Sequence, residues 1–385
     1  MATTTVTGVQ YSGIWSLSGQ ANAKALGTWP VPPTPGLFSW GYNASGQLGL
    51  GDTTARSSPN QVGNLNDWNV IALGRASFSA IKTDGTLWSW GYNSTGGLGL
   101  GNTTNYSSPK QVGSLTTWAY TASGGSYFTV SVKTDGTLWS FGSNTVGQLG
   151  LGNTTNYSSP TQVGLLTNWG KVATGLDFTL AVKTNNTLWA WGKNNRGQLG
   201  VGNVANRSSP VQVGNLTNWL DISAGRYHVL ATKIDGTLWS WGYNSFGQLG
   251  LGNTTEYSSP KQVGALTTWL SVSAGYEFSS AVKTNNSAWA WGNNTQGQLG
   301  FGNLTNYSSP VQVGTLTNWL ALSCGTYHTA AVTTNGTLWS WGANAQGQLG
   351  LGNTAGYSLP KQVGALTTWA KLSVGYYGTS AIKTA

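Results

Sequence analysis

A tract of 50 or 51 residues occurs seven times in this chain of 385 residues. Each copy carries an aromatic residue followed by glycine, and the steps between these dipeptides are 50, 51, 50, 50, 50 and 50 residues. The dipeptides are Trp40-Gly41, Trp90-Gly91, Phe141-Gly142, Trp191-Gly192, Trp241-Gly242, Trp291-Gly292 and Trp341-Gly342. A period of this length is typical of solenoids and propellers, in which each copy is one supersecondary unit. The fold must therefore be assembled from copies of a single unit.

Each copy has the pattern of four short strands. They are PKQVG, the segment from the LTTW tryptophan to SAG, FSSAVKT with small and apolar residues, and TLWSWG with alternating faces. The last two strands are separated by dipeptides that tolerate positive φ, such as Asp84-Gly85 and Asn185-Asn186. Glycine, asparagine, threonine and serine recur every few residues, which argues against helices. Four antiparallel strands per copy predict one propeller blade.

The two ends of the chain predict a closed ring. The last copy stops at 381–385, where a TLWSW strand is due, and a matching strand stands at 36–40. We therefore predict an all-β fold, a seven-bladed β-propeller of four-stranded antiparallel blades, closed by strand 36–40 completing the last blade. The expected blades are about 41–90, 91–141, 142–191, 192–241, 242–291, 292–341, and 342–385 plus 36–40.

Tryptophan is the predicted filler between blades. Nineteen of the 21 tryptophans fall at equivalent positions of the copies. Such a stripe is either a packed core or a ligand platform, and one large residue in each slot favours the core. The single cysteine, Cys324, excludes an internal disulfide, so packing must hold the ring together.

The first 35 residues lie outside the repeats. We divide the chain into an anchor or docking segment at 1–29, a proline-rich linker at 30–35 and the propeller at 36–385. The anchor would use the apolar side chains of its segment, with a frayed tail or a strap across the ring as alternatives. These side chains are Tyr11, Ile14, Trp15, Leu17, Leu26 and Trp29. The segment has no basic and apolar leader pattern, which predicts no signal peptide and no membrane span.

The motif WGxNxxGQLGxG, followed by Pro-x-Gln-Val and G-x-x-H-T-x-A-V, resembles the regulator-of-chromosome-condensation (RCC1) repeat family over residues 36–385. The resemblance implies a seven-bladed propeller. The family's histidine slot holds His228 and His328 here and phenylalanine, serine or glycine in the other copies, so we expect a structural role. The founder's exchange activity on a small GTPase and its chromatin binding use a wedge and a basic tail. No blade carries a long insertion, and residues 1–34 hold one basic residue, Lys24, so we expect neither feature in this chain.

No catalytic or metal-binding motif is found, and the nine acidic residues are scattered. We predict no enzyme activity, no cofactor and no metal. The net charge of +9 reflects few acidic residues, and nucleic acid is not an expected partner. One repeated slot holds six lysines, which form either a polyanion-binding ring or a set of solvated strand ends. They are Lys82, Lys133, Lys183, Lys233, Lys283 and Lys383.

Residues 11–30 resemble the amino-terminal stretch of tailed-bacteriophage structural proteins. The leading functional prediction is therefore a virion structural protein, made in the host cytoplasm, that serves as a tail-fibre-like, tail-associated or decoration module. Residues 1–34 would bind other virion proteins, the propeller would contact a host-surface glycan or receptor, and the protein would be free to oligomerise in the particle. The alternative is a cellular RCC1-like scaffold or a GTPase exchange-factor-type interaction protein.

Overall fold

The computed structural model of the protein describes residues 36–384. These residues form 28 strands in seven four-stranded antiparallel sheets. Each sheet contacts the next through its innermost strand, and the last sheet contacts the first, so the sheets close into a ring. The predicted all-β, seven-bladed propeller is confirmed.

All seven sheets have the same order from the axis to the rim. The innermost strands are β3 (Trp68–Leu73), β7 (Trp118–Ser123), β11 (Trp169–Thr174), β15 (Trp219–Ala224), β19 (Trp269–Ala274), β23 (Trp319–Cys324) and β27 (Trp369–Val374). The second strands are β4 (Ser77–Lys82), β8 (Phe128–Lys133), β12 (Phe178–Lys183), β16 (His228–Lys233), β20 (Phe278–Lys283), β24 (His328–Thr333) and β28 (Gly378–Lys383). The third strands are β1 (Gly36–Gly41), β5 (Leu87–Gly91), β9 (Leu138–Gly142), β13 (Leu188–Gly192), β17 (Leu238–Gly242), β21 (Ala288–Gly292) and β25 (Leu338–Gly342). The outermost strands are β2 (Arg56–Gln61), β6 (Tyr106–Gln111), β10 (Tyr157–Gln162), β14 (Arg207–Gln212), β18 (Tyr257–Gln262), β22 (Tyr307–Gln312) and β26 (Tyr357–Gln362).

The position of a strand in its sheet explains its sequence. Second strands are buried at every residue because a neighbouring blade covers each of their faces. Small and apolar residues such as those of FSSAVK fit this environment. Outermost strands pair on one side only, so each tolerates a proline near an irregularity in the pairing, as between Tyr157 and Thr161.

The predicted closing strand is confirmed, and the structure adds a second one. Strand β1 pairs with β28 over six consecutive residues, from Gly36 opposite Lys383 to Gly41 opposite Gly378. Strand β2 then pairs with the outer side of β1, so the sheet order is β2-β1-β28-β27. The closing blade takes two strands from each end of the chain, which joins the ends through backbone hydrogen bonds.

The sheets group the strands differently from the blade limits expected from sequence. The first sheet after closure comprises β3, β4, β5 and β6, and therefore spans 68–111 where 41–90 was expected. Each outermost strand pairs with the strand before it, because the glycine-rich loop between them turns back on itself. Asn93 holds one such loop by donating to the carbonyls of Asn102 and Thr104, while its Oδ1 accepts from the Leu98 amide.

Tryptophans fill the contacts between blades, as predicted. The second tryptophan of the WxW strand is fully buried, and in five copies its indole N–H donates to a glutamine carbonyl of the preceding blade. Trp241 Nε1 donates to the carbonyl of Gln198 at 3.0 Å. Trp219 packs edge-on against both tryptophans of its own WxW strand, Trp239 and Trp241, at centroid distances of 6.1 and 5.9 Å. Edge-to-face packing of this kind adds to the stabilisation from burial alone.

Candidate functional site

The ring has two faces of different chemistry. One face, named here the tyrosine face, carries the turns from innermost to second strands and the loops from third to outermost strands. The opposite face, the lysine face, carries the turns from second to third strands and includes the six repeated lysines. The turns of the tyrosine face are 74–76, 124–127, 175–177, 225–227, 275–277, 325–327 and 375–377.

These turns are where the seven copies differ. Their sequences are GRA, GGSY, GLD, GRY, GYE, GTY and GYY, so only the first glycine is common to all seven copies. Uniform positions of a repeat serve the shared packing, whereas variable loop positions on a rigid scaffold are free to carry a specific function. This face was not predicted from the sequence, because the prediction rested on positions that the copies share. The residues that differ between equivalent turns are the sequence signal that could have revealed it.

Nine of the 15 tyrosines within residues 36–384 lie on the tyrosine face. They contact one another across blades, as shown by Tyr276 and Tyr376 with ring centroids 5.2 Å apart, and by Tyr92 and Tyr127 at 4.4 Å. The nine are Tyr42, Tyr92, Tyr127, Tyr227, Tyr243, Tyr276, Tyr327, Tyr376 and Tyr377. Clustered tyrosines offer large amphipathic contact area at low cost in side-chain entropy.

Backbone hydrogen bonds between successive turns hold this face together near the axis. The Gly125 amide donates to the Gly175 carbonyl at 3.0 Å, and the Tyr276 amide donates to the Gly325 carbonyl at the same distance. A side chain would not fit here, since a Cβ on Gly225 would lie 2.3 Å from the Gly275 oxygen. The turns are therefore fixed in position before any partner binds.

In one half of the tyrosine face, ion pairs neutralise most of the charged side chains, with Arg207 at the rim as an exception. We name this the paired half; it comprises the blades whose innermost strands are β11, β15 and β19. Three ion pairs lie there: Lys193 with Asp177 at 3.3 Å, Arg226 with Glu277 at 3.1 Å, and Arg196 with Glu256 at 3.1 Å. The Arg226 guanidinium also lies 4.3 Å from the centroid of the Tyr276 ring.

The remaining blades, the open half, hold one ion pair at the rim, Arg56 with Asp52, and present a second arginine, Arg75, among tyrosines. Arg75 is exposed, and its guanidinium lies 5.6 Å from the centroid of Tyr127 and 5.0 Å from that of Tyr376. Arg75 lines a cavity of about 580 Å³, named here the Arg75 pocket, whose lining includes no acidic residue. The residues of this pocket are Tyr42, Ser45, Arg75, Ala76, Tyr92, Tyr127, Tyr327, Ala343, Ala345, Gln346, Gln348 and Tyr377.

The six repeated lysines occupy one slot of the ring, as predicted, but they are neither free nor solvated. Each is largely buried, with 5 to 8% exposed, and its ammonium group lies over an aromatic ring. Lys233 Nζ is 3.6 Å from the centroid of Trp239, and Lys283 Nζ is 3.5 Å from that of Trp289. Burial lowers the pKa of Lys233. Lys383 instead lies over Phe38, at 4.9 Å. Binding of a polyanion by these lysines stays a prediction. Their observed contacts are cation–π interactions within the blades, and Lys82 also forms an ion pair with Asp67 at 3.5 Å.

Both histidines of the repeat lie between blades, as expected for structural residues. His228 Nε2 is 3.0 Å from Ser279 Oγ, and His328 Nε2 is 3.0 Å from Thr379 Oγ1. Burial lowers the pKa of each histidine to about 3, so both are neutral at physiological pH. Burial raises the pKa of the Cys324 thiol to about 11, which disfavours the reactive thiolate.

The predicted anchor residues, Tyr11, Ile14, Trp15, Leu17, Leu26 and Trp29, lie outside the described residues, as does the linker 30–35. Within residues 36–384, no group of three histidine, cysteine or acidic side chains is placed to hold a metal ion. The same part of the chain contains no helix long and apolar enough to cross a membrane.

Comparison with known proteins agrees with the architecture. Prp20p from Saccharomyces cerevisiae is similar with a TM-score of 0.81 and 20% identity, covering 91% of this chain and 92% of that one. Human WBSCR16 is similar with a TM-score of 0.81 and 21% identity, covering 91% of this chain and 99% of that one. These likenesses show the fold. The family model described as the RCC1-like domain matches residues 36–382. The chain therefore belongs to the RCC1-like domain family, as its repeats predicted.

Proposed function

We propose that this protein is a non-enzymatic binding module that recognises another protein through its tyrosine face. The observation that carries the proposal is the concentration of tyrosine and arginine at the positions where the copies differ. Tyrosine and arginine are enriched in the residues that dominate the energy of protein interfaces. The rigid ring of turns would reduce the ordering cost of binding.

Membership of the RCC1-like family supports the same general activity. The structure of Prp20p is described together with its binding to Gsp1p and histones, and a related structure shows Kap60 bound to yeast RCC1 (Prp20). We carry over protein binding alone, and no named partner. Since these relatives are cellular proteins, they favour the cellular scaffold over the virion protein. The more specific role of an exchange factor is not part of the proposal.

The virion role stays a prediction. It depends on residues 1–34, which lie outside the described residues, and on their resemblance to bacteriophage structural proteins. Deletion of residues 1–34 tests it directly, by measuring whether the shortened chain still enters particles. Incorporation without the segment would contradict the anchoring role.

Site-specific photo-crosslinking in the native source tests the binding face. A benzophenone amino acid placed at Tyr327 or Tyr42 should give covalent adducts with a protein partner, because both residues line the Arg75 pocket. Probes at Thr184 and Ile234, which are exposed in turns of the lysine face, serve as controls. Adducts confined to the control positions would overturn the proposal.

A further inference from the structure

We propose that the Arg75 pocket binds the carboxylate of a glutamate or aspartate side chain in an acidic segment of the partner. This inference rests on the proposed function, since it assigns a chemistry to one part of the tyrosine face. Four observations carry it: the missing counter-ion of Arg75, a matched arginine in the other half, the orientation of the guanidinium and the single charge of the pocket.

Arg75 has no counter-ion because every acidic side chain of the protein is engaged elsewhere. All nine lie within the described residues. Six form ion pairs with other lysines and arginines. The other three accept hydrogen bonds from the threonine two residues later, in the turns after Lys82, Lys133 and Lys233. No acidic group remains to neutralise Arg75.

Arg226 shows what the same residue does when a counter-ion is present. Arg75 and Arg226 occupy equivalent positions, each seven residues after the tryptophan that begins its innermost strand. Arg226 pairs with Glu277 of the next blade. The position equivalent to Glu277 next to Arg75 is Tyr127, since Phe128 and Phe278 both begin second strands. The next blade therefore supplies a carboxylate to Arg226 and a tyrosine side chain to Arg75.

Aromatic contacts orient the Arg75 guanidinium without using its hydrogen-bond donors. Tyr127 and Tyr376 approach from different blades and offer their ring faces. Within residues 36–384, Arg75 makes no side-chain hydrogen bond or ion pair. A guanidinium held in this way keeps its planar fork of N–H groups for a bidentate acceptor. Burial raises the pKa of Tyr376 and of Tyr327, so their hydroxyls stay uncharged and do not repel an anion.

The turn that contains the extra residue of the repeat contributes Tyr127 to this pocket. The turn of the second copy has four residues, 124–127, where the others have three. Tyr127 has a φ of 62°, in the left-handed region that residues other than glycine seldom adopt. Such a conformation costs free energy and is found most often at functional sites. The copy that is 51 residues long is thus the one whose turn places Tyr127 where a carboxylate would pair with Arg75.

The single charge of the pocket favours a carboxylate over a phosphate. Arg75 is the one charged residue in its lining, and the rest of the lining is aromatic, small or amide-bearing. A phosphate group carries close to two charges and is typically bound by clustered arginines. One guanidinium matches one carboxylate, and the surrounding tyrosine rings suit the apolar stem of glutamate and the residues beside it.

Fluorescence anisotropy with the full chain tests this assignment. The probe is a fluorescein-labelled octaglutamate, with octaglutamine and a phosphoserine peptide of equal length for comparison. We expect octaglutamate to bind the wild type, and Arg75→Gln to weaken binding about tenfold or more, as loss of a charge-assisted contact does. Lys261→Gln removes the same charge from an exposed site on an outermost strand and should change little.

Two further variants use the matched arginine as an internal control. Tyr127→Glu should weaken octaglutamate binding as much as Arg75→Gln does, because it supplies the missing counter-ion while keeping the arginine. Glu277→Tyr should release Arg226 and raise the number of bound peptides from one to two. Melting curves for each variant establish that the ring remains folded.

Three results would overturn the inference: no binding of octaglutamate to the wild type, equal loss from Arg75→Gln and Lys261→Gln, or tighter binding of the phosphoserine peptide. The second would indicate attraction by the overall positive charge, and the third a phosphate site. The peptide assay can fail while the photo-crosslinking still gives adducts on the tyrosine face, so failure of this inference is distinguishable from failure of the proposed function.

Discussion

The paired and open halves of the tyrosine face share one backbone and differ in how they treat an arginine. In the paired half, Arg226 is bound to Glu277, 3.1 Å away, and that carboxylate is largely buried. In the open half, Arg75 meets Tyr127 where the acid would stand. The first arginine is a structural cross-link between blades, and the second is a free donor group.

This difference shows how a repeat protein gains a specific site without a new fold. Seven near-identical copies provide seven equivalent positions around one axis. The chemistry of each position depends on its neighbour in the ring, so one substitution in an adjacent blade converts a cross-link into a binding group. Substitutions of the buried tryptophans, of the histidines between blades and of the two arginines can test separately whether the halves differ only in their arginines.

The largest loss of stability is expected from replacing a buried tryptophan of the scaffold, and it should be equal in both halves. Trp90 in the open half and Trp241 in the paired half are fully buried, and each donates to a glutamine carbonyl of the preceding blade. Replacement of either by alanine should lower the free energy of unfolding by about 3–5 kcal/mol in urea titrations. Phenylalanine, which fills this slot as Phe141, should cost clearly less. Unequal losses for the two alanine variants would show that the halves differ in their scaffold as well.

An intermediate effect is expected on acidification, again shared by both halves. His228 and His328 are neutral in the folded protein, with pKa values lowered by burial to about 3 against 6.5 for the exposed side chain. Below pH 6.5 the unfolded chain binds protons that the folded protein does not, so stability falls as the pH falls. The loss should be about 1.4 kcal/mol per pH unit for each histidine.

The histidine prediction is checked by urea titrations at neutral and mildly acidic pH. Phenylalanine occupies the same slot in three other copies, so His228→Phe and His328→Phe are matched substitutions. Each should remove its own share of the acid sensitivity. An unchanged pH dependence in the double variant would assign the sensitivity to other groups.

The smallest changes in stability are expected at the two arginines, and they should differ between Arg226 and Arg75. Glu277→Gln leaves the partly buried Arg226 without its counter-ion and should cost about 1–2 kcal/mol of stability. Arg75→Gln removes an exposed group without an ion-pair partner and should change stability by less than about 0.5 kcal/mol. Thermal melts of the two variants against the wild type decide the point. Equal losses would mean that Arg75 is structural too.

Much of the scaffold could be predicted from the sequence because its determinants recur. The period set the number of blades, the ends set the closing strand at 36–40, and the tryptophan slots set the core between blades. The assignment of strands to sheets was harder to predict, because the repeat alone allows an outermost strand to join either the three strands before it or the three strands after it. The pairing of β5 with β6 decided it. The lysine slot was predicted, but its contacts with tryptophan rings were not, since a strand-end lysine has the same sequence pattern whether solvated or buried.

The sequence by itself determined a ring of seven equivalent blades, because a repeated pattern of hydrophobic residues and turns acts locally and identically in each copy. Only the tertiary structure decided which variable residues meet. Tyr42, Arg75, Tyr127 and Tyr327 come from four blades and lie as much as 285 positions apart in the chain, yet they line one pocket. Ring closure produces this convergence, since it brings the first and last copies side by side and directs all seven turns of one kind toward the same axis.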